Sequence, residues 1–326
     1  MADKHTVYDL KQMQSLPLDA KIIMTKQRIR QWYDHWDGQV YVSFSGGKDS
    51  TVLKHIVDSM YDDVPAVFVN TGLEYPEIQK FAMSQKNIVT VRPKMRFDDV
   101  LRKYGYPVIA KELSLYVRQC QNPTEKNHIT RRLRLEGIKA DGTKVRKGKI
   151  PEKWKYLVDA PFSISEKCCD VMKKRPAHEY EKSTHRKPII GTMATESILR
   201  EKMWLKNGCN AFDKNKPSSQ PLSFWTEQDI LEYIKRYNVP YCSVYGDIVN
   251  ENDQLKTTGC DRTGCIFCMF GCHLEKESRF KRLKETHPRQ YDYCINGGEF
   301  VDGKWQPSKE GLGLSKVLDY IKVDYK

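Results

Sequence analysis

The stretch Val40-Tyr41-Val42-Ser43-Phe44-Ser45-Gly46-Gly47-Lys48-Asp49-Ser50-Thr51 is the starting point for placing the elements of this chain. Its β-branched and aromatic start predicts a buried strand, and Ser-Gly-Gly predicts a tight turn. Val52, Leu53, Ile56, Val57 and Met60 then share one face of an amphipathic helix. A strand, a short loop and a helix N-terminus place backbone N–H groups at the positive end of a helix dipole, which suits a phosphate-like anion. Gly46 and Gly47 let the backbone approach that anion, because no Cβ intervenes. Lys48 adds a mobile positive charge, Ser45, Ser50 and Thr51 add hydroxyl donors, and Asp49 can cap the helix or hold Mg2+.

Neither G-x-x-x-x-G-K-[ST] nor G-x-G-x-x-G is present in this loop. Residues 45–50 instead resemble the PP-loop of the ATP pyrophosphatase superfamily, whose members cleave ATP between its α- and β-phosphates. The bland alternative is an ordinary glycine turn, against which the strand, the Lys-Asp pair and the helix together weigh.

Outward from the loop, residues 20–36 predict an amphipathic helix striped by Ile22, Ile23, Ile29, Trp32, Tyr33 and Trp36. Residues 66–69 predict a second strand ending in Asn70-Thr71-Gly72. Pro76 opens a helix to about Lys86, and residues 88–91 predict a third strand. This alternation predicts an α/β fold with a doubly wound, mainly parallel sheet that takes ligands at the C-terminal ends of its strands. Asn70–Glu74 then falls beside Ser45–Ser50, placed for the adenosine half of a nucleotide. A further short strand at 187–191 leads to the segment Thr195–Arg200. Thr226 with Asp229 forms a capping box before Ile230, Leu231, Ile234 and Tyr237. The expected organisation is a helical segment at 1–37, a nucleotide-binding domain at 38–240 and a Cys-rich, metal-bearing segment at 241–326 folded against the sheet.

Within 38–240, a basic insertion at about 122–156 carries eleven Lys and Arg residues between Lys126 and Lys155, against Glu125, Glu136, Asp141 and Glu152. Asp141-Gly142 signals a turn, so a basic hairpin or flexible insertion is expected. It is either a contact for a nucleic-acid backbone or a solvated loop. Trp154 and Tyr156 serve either base stacking or packing.

The 326-residue chain has a formal net charge of +13, with 30% charged and 39% hydrophobic residues, which favours polyanionic partners such as nucleic acid or nucleotides. No apolar run is long enough for a membrane span, and residues 1–11 lack an apolar signal core. A cytoplasmic protein with no membrane partner is expected, and an oligomer is compatible with the sequence.

With ten cysteines and no secretion signal, metal or redox chemistry is expected rather than disulfides. Cys260, Cys265, Cys268 and Cys272 fall within one short segment, where the spacing suits tetrahedral zinc or an iron–sulfur cluster equally. The adjacent pair Cys168-Cys169 shifts the balance. Consecutive side chains diverge, which is awkward around one small ion but not around a four-iron cube.

Glu166-Lys167-Cys168-Cys169 followed by Lys173-Lys174-Arg175-Pro176 resembles the Cys-Cys…Lys-x-x-Pro segment of iron–sulfur adenylylsulfate reductases. Gly264-Cys265-Ile266-Phe267-Cys268 matches the later Gly-Cys-x-x-Cys of that group. Residues 70–77, Gly191–Arg200 and Pro221–Tyr241 resemble its other segments, so the likeness runs over roughly residues 38–273. It is close to the phosphoadenosine phosphosulfate reductase-like family, including versions from phages and mobile elements. The resemblance implies an adenine nucleotide alpha hydrolase-like fold and a [4Fe–4S] cluster on Cys168, Cys169, Cys265 and Cys268, with zinc as the alternative. It also implies ATP contacts from Ser43, Ser45, Gly46, Gly47, Lys48, Asp49, Ser50, Thr51, Asn70, Thr71, Gly72 and Gly191, with Arg200 neutralising phosphate charge unless it forms a surface ion pair with Glu196 or Glu201.

Two departures matter. Reductases of the family carry a Glu-Cys-Gly-Leu-His segment whose cysteine attacks sulfur; Tyr293-Cys294-Ile295 does not match it. Their phosphate loops are usually degenerate, whereas Lys48 and Asp49 stand here in an intact Ser-Gly-Gly-Lys-Asp-Ser. Together these point to cleavage of ATP to AMP and pyrophosphate, with Lys48, Asp49 and Arg200 as the catalytic candidates. The adenylated acceptor, a nucleic acid or nucleotide, then takes sulfur from a donor or reductant protein. DNA phosphorothioation and tRNA thiolation are the nearest analogies, in which an open iron of the cluster carries sulfide. The rival expectations are a sulfonucleotide reductase releasing sulfite and a non-catalytic nucleotide-sensing regulator.

Overall fold

The computed structural model describes residues 3–326. Its chain forms two compact units, Met1–Arg92 with Pro176–Gly264, and Pro93–Arg175 with Cys265–Lys326. The division at 1–37, 38–240 and 241–326 follows chain order, whereas the contacts interleave distant stretches. Parallel strand pairing is the reason: it needs crossovers, and it returns residues 187–190 to the edge of the first strand.

The first unit holds a six-stranded sheet. Its strands are β1 (Val40–Phe44), β2 (Ala66–Val69), β3 (Ile88–Val91), β4 (Lys187–Ile190), β5 (Asn210–Ala211) and β6 (Ser218–Ser219), in spatial order β3-β2-β1-β4-β6-β5. All pairs are parallel except β5–β6. Phe44 pairs with Phe68 on one side, and Ser43 with Ile190 on the other. Val40, Tyr41, Val42 and Phe44 are all buried, as a strand covered on both faces requires. Five of its helices are α1 (Leu18–His35), α2 (Lys48–Asp58), α3 (Pro76–Ser84), α4 (Ile198–Asn207) and α5 (Glu227–Arg236), beside the further helices Val7–Gln14 and Arg175–Thr184. α1 starts two residues before the expected Ala20, and α3 stops at Ser84 rather than near Lys86. Ile29, Trp32, Ile56, Val57, Phe224 and Trp225 belong to its core. The chain leaves β1 towards β2 on one side and comes back to β4 on the other. The end of β1 is therefore the switch point where such sheets bind ligands, and residues 45–50 lie there.

In the second unit the expected basic hairpin is mostly helical. His128–Glu136 is an α-helix, and a single bridge, Ile138 to Lys144, closes the turn at Asp141-Gly142. Ile129 and Leu133 stand one turn apart on this helix and Leu133 is half-buried, so a helical stripe outcompetes strand pairing. Trp154 and Tyr156 pack on His273 and Tyr320 respectively, the packing alternative open to these two rings from sequence. The Cys-rich stretch divides: residues 241–264 belong to the first unit and 265–326 to the second. There Met269–Phe270 pairs with Val108–Ile109 instead of joining the six-stranded sheet. Among the described residues no helix is long and apolar enough to cross a membrane.

Candidate nucleotide site

The loop at residues 45–50 is built by its own hydroxyls. The Ser50 hydroxyl accepts from Ser45 N–H at 3.2 Å and donates to the Gly47 carbonyl at 2.9 Å. Thr51 Oγ1 donates to the same carbonyl at 3.0 Å, and Ser45 Oγ accepts from Gly47 N–H at 3.3 Å. Ser50 and Thr51, expected as donors to an anion, thus spend their protons on the turn. Gly46 has φ +73°, and a Cβ there would lie 3.0 Å from Ile78 Cγ2; a side chain would be both strained and crowded. Ser43 lies within β1, opposite Val67 and Ile190. Gly191 supports the helix start from below: a Cβ would lie 3.1 Å from the Asp49 carbonyl oxygen.

Lys48 opens α2 and is buried. Its ammonium donates to the Asp261 carbonyl at 3.0 Å and lies 3.2 Å from Glu227 Oε1 and 3.8 Å from Asp49 Oδ1. Its backbone N–H donates to the Tyr245 hydroxyl at 3.3 Å, and that hydroxyl contacts Thr263 Oγ1 at 2.6 Å. Burial pushes the Tyr245 phenol up to about 12, so it is a neutral O–H at physiological pH.

Asp49 Oδ1 is buried without a hydrogen-bond partner. Burial pushes this carboxyl above the ordinary aspartate range despite the pull of Lys48, and Glu196 and Glu227 push the same way. The folded protein therefore holds this proton more tightly than the unfolded chain. Stability falls as pH rises from the ordinary aspartate value of 3.8 through the raised folded value. Asp49→Asn is expected to raise the thermal midpoint at neutral pH, with the gain disappearing below that ordinary value, where both states are protonated. A midpoint unchanged at neutral pH, or a gain equal at all pH values, would contradict the burial argument.

At the end of β2, Thr71 N–H and Oγ1 both donate to the Glu74 carboxylate, and Asn70 Oδ1 accepts from Gly72 N–H. Asn70 Nδ2 is buried and unsatisfied, a second orphaned polar group at this sheet edge. Arg200 pairs with Glu196 one turn away, the ion-pair alternative open to it from sequence. Glu196 also accepts from Met193 N–H at 2.8 Å and lies 3.8 Å from Arg262. Glu227, Tyr245, Asp261, Arg262 and Thr263 carried no motif in the sequence. Only the position of Asp261–Thr263 between Cys260 and Cys265 marked that segment at all.

The second unit gathers four thiols. The Cys168 and Cys169 sulfurs lie 3.9 Å apart, with Cys168 the donor. That bond lowers Cys169, helped by Lys111 and Lys173, and raises Cys168, which also feels Cys268 and Cys265. Among the described residues, no three His, Cys, Asp or Glu side chains converge at single-ion spacing. An all-sulfur donor set is of the soft type that zinc and iron–sulfur centres both take. Cys272 donates to the Met269 carbonyl at 3.0 Å, and burial pushes it up to about 12. Cys260 falls in the other unit. Cys294 is fully buried and its thiol is pushed well up, the opposite of an exposed nucleophile.

Several known proteins are similar to this chain. An uncharacterised protein of Methanocaldococcus jannaschii is 24% identical over 277 residues, covering 82% of this chain and 50% of that protein. A second from the same organism is 24% identical over 275 residues, covering 82% of this chain and 43% of its own length; the chain spans half or less of both. The adenosine 5'-phosphosulfate reductase of Anoxybacillus flavithermus is 22% identical over 279 residues, 85% of this chain and 93% of that enzyme. The crystal structure of phosphoadenylyl-sulfate reductase from Candida auris covers 78% of this chain and 100% of its own at 13% identity, with a TM-score of 0.39. The model of the phosphoadenosine phosphosulfate reductase domain matches residues 39–134 and 110–270. The chain therefore belongs to the phosphoadenosine phosphosulfate reductase domain family, a family of enzymes.

Proposed function

We propose that this chain binds ATP at residues 45–50 and cleaves it between the α- and β-phosphates to activate an acceptor for sulfur transfer. The carrying observation is the start of α2, where the buried Lys48 ammonium and the orphaned Asp49 carboxyl stand together at a helix N-terminus. An acceptor oxygen attacks the α-phosphorus, the bond to the bridging oxygen breaks, and pyrophosphate leaves. Sulfide or an equivalent donor then attacks the adenylated carbon, and AMP leaves with the C–O electron pair. Lys48 and the loop amides stabilise the charge gathering on pyrophosphate. Asp49 would hold Mg2+, which supplies Lewis-acid stabilisation when bound. Arg200, released from Glu196, would neutralise phosphate charge.

Cys168, Cys169, Cys265 and Cys268 would hold a [4Fe–4S] cluster, which when bound supplies a soft sulfur-binding centre. Anaerobic purification is expected to give about four iron and four acid-labile sulfide per chain, as a cubane cluster requires, and Cys168→Ser should lose both. One zinc and no sulfide would overturn the assignment.

Nucleic acid is the acceptor class favoured by the second unit. Lys126, Arg132, Lys139, Lys144, Arg146 and Lys147 are all exposed there, a spacing that suits a phosphate backbone.

The named relative favours a second reading, reduction of a sulfonucleotide to sulfite with an external thiol, although buried Cys294 offers no nucleophile. Parallel reactions separate the two. α-Phosphate-labelled ATP with RNA or DNA should yield unlabelled pyrophosphate and labelled nucleic acid, and addition of sulfide should release the label as AMP. Substantial sulfite from adenylylsulfate or its 3'-phosphate plus thioredoxin, with no pyrophosphate from ATP, would establish the reductase instead.

A further inference from the structure

We propose that Tyr245 and the strap Asp261-Arg262-Thr263 form a second wall of the phosphate site, with Tyr245, Arg262 and Thr263 as direct ligands of the nucleotide's polyphosphate. This rests on the reading of residues 45–50 as an ATP loop. Three consecutive strap residues meet that loop's machinery. The Asp261 carbonyl holds the Lys48 ammonium at 3.0 Å. Arg262 lies 3.8 Å from Glu196, the carboxylate that also holds Arg200. Thr263 Oγ1 is 2.6 Å from the Tyr245 hydroxyl, which in turn takes the first backbone N–H of α2. A Cβ built on Gly47 would lie 3.3 Å from Tyr245 OH and 3.5 Å from Thr263 Oγ1, so both hydroxyls roof the glycine that admits the anion.

The chemistry of the wall matches a polyphosphate. Two neutral hydroxyls and a guanidinium supply donors, and the Tyr245 oxygen already occupies a place that an anion's oxygen would take at a helix N-terminus. When the anion arrives, Lys48 N–H and the Tyr245 O–H both turn to it, Thr263 donates beside them, and Arg262 exchanges Glu196 for phosphate. Arg262 has the freedom for that exchange, since its side chain is 66% exposed. Glu196 keeps its Met193 N–H bond throughout, so its carboxylate remains anchored while the arginines leave.

The test is calorimetric binding of α,β-methylene-ATP, which cannot be cleaved at the proposed bond, beside AMP, which lacks the polyphosphate. Hydrogen bonds to charged groups are worth enough that Thr263→Val, Tyr245→Phe and Arg262→Ala should each weaken the methylene analogue about tenfold. AMP binding should stay within about twofold of wild type, because the strap touches the polyphosphate end. Thr263→Ser retains the hydroxyl and should bind the analogue like wild type, which separates ligand contact from packing. Unchanged analogue binding in Thr263→Val and Arg262→Ala overturns the proposal, as does equal loss of AMP. Absence of analogue binding by the wild-type chain would instead sink the ATP reading.

Discussion

Replacing Lys48 by Ala is expected to lower pyrophosphate release from ATP by about 10²–10³-fold, the loss typical when one preorganised donor to a developing oxyanion is removed. The expectation is large because the ammonium is placed before substrate arrives. Lys48 is 4% exposed and fixed between the Asp261 carbonyl, Glu227 and the Tyr245 ring, whose centroid lies 5.4 Å away. In so dry a position an ammonium facing pyrophosphate is screened far less than a surface lysine. Lys48→Arg should rescue little, because a planar fork does not fit a space sized for a single ammonium. The measurement is single-turnover pyrophosphate release at saturating ATP. A Lys48→Ala rate within about threefold of wild type would remove Lys48 from the chemistry, since that is well below the usual cost of losing such a donor.

Asp229→Ala is expected to destabilise the protein by about 3–5 kcal/mol, through an uncompensated buried charge. Lys21 in α1 is 2% exposed and donates to both Asp229 oxygens, at 2.8 and 2.7 Å. The same carboxylate accepts from Thr226 N–H at 2.6 Å and Thr226 Oγ1 at 2.7 Å, so it also completes the cap of α5. Alanine removes the partner of a buried ammonium and half of the capping box in one step. Lys21→Met combined with Asp229→Leu should recover most of the loss, because removing both charges also removes their desolvation cost. Urea denaturation of the three proteins provides the comparison. A double variant as unstable as Asp229→Ala would show that the cap, and not the stranded Lys21, carries the effect.

Much of the first unit was legible because its signals are local. The apolar run at 40–44, the glycine pair and the helical stripe from Val52 to Met60 follow from neighbouring residues. Strands at 66–69 and 88–91 came at their observed bounds for the same reason, and the one expected at 187–191 ends a residue earlier, at Ile190. The Thr226–Asp229 capping box was readable too, since its partners are three residues apart. Its second partner, Lys21, was not, because the bond spans 208 positions and lysine in an amphipathic helix ordinarily faces water. The basic stretch misled in form. Asp141-Gly142 is a real turn, but no alternation flanks it to extend a hairpin, while Ile129, Leu133 and their neighbours support a helix.

The candidate site divides along the same line. Residues 45–50 by themselves determine a glycine turn at a helix start, because φ, hydroxyl–backbone bonds and dipole direction are properties of a few consecutive residues. Sequence likewise determined the family, through motifs that stay short and ordered along the chain. Only the tertiary structure decided what faces that turn. Glu227, Tyr245 and Asp261 reach Lys48 across long stretches of chain, and no motif in their local sequence marks them as its partners. It also decided that Ser50 and Thr51 give their protons to Gly47 and that Arg200 pairs with Glu196. A side chain's partner depends on which segments the sheet brings to the end of β1, and that is set by packing of the whole unit.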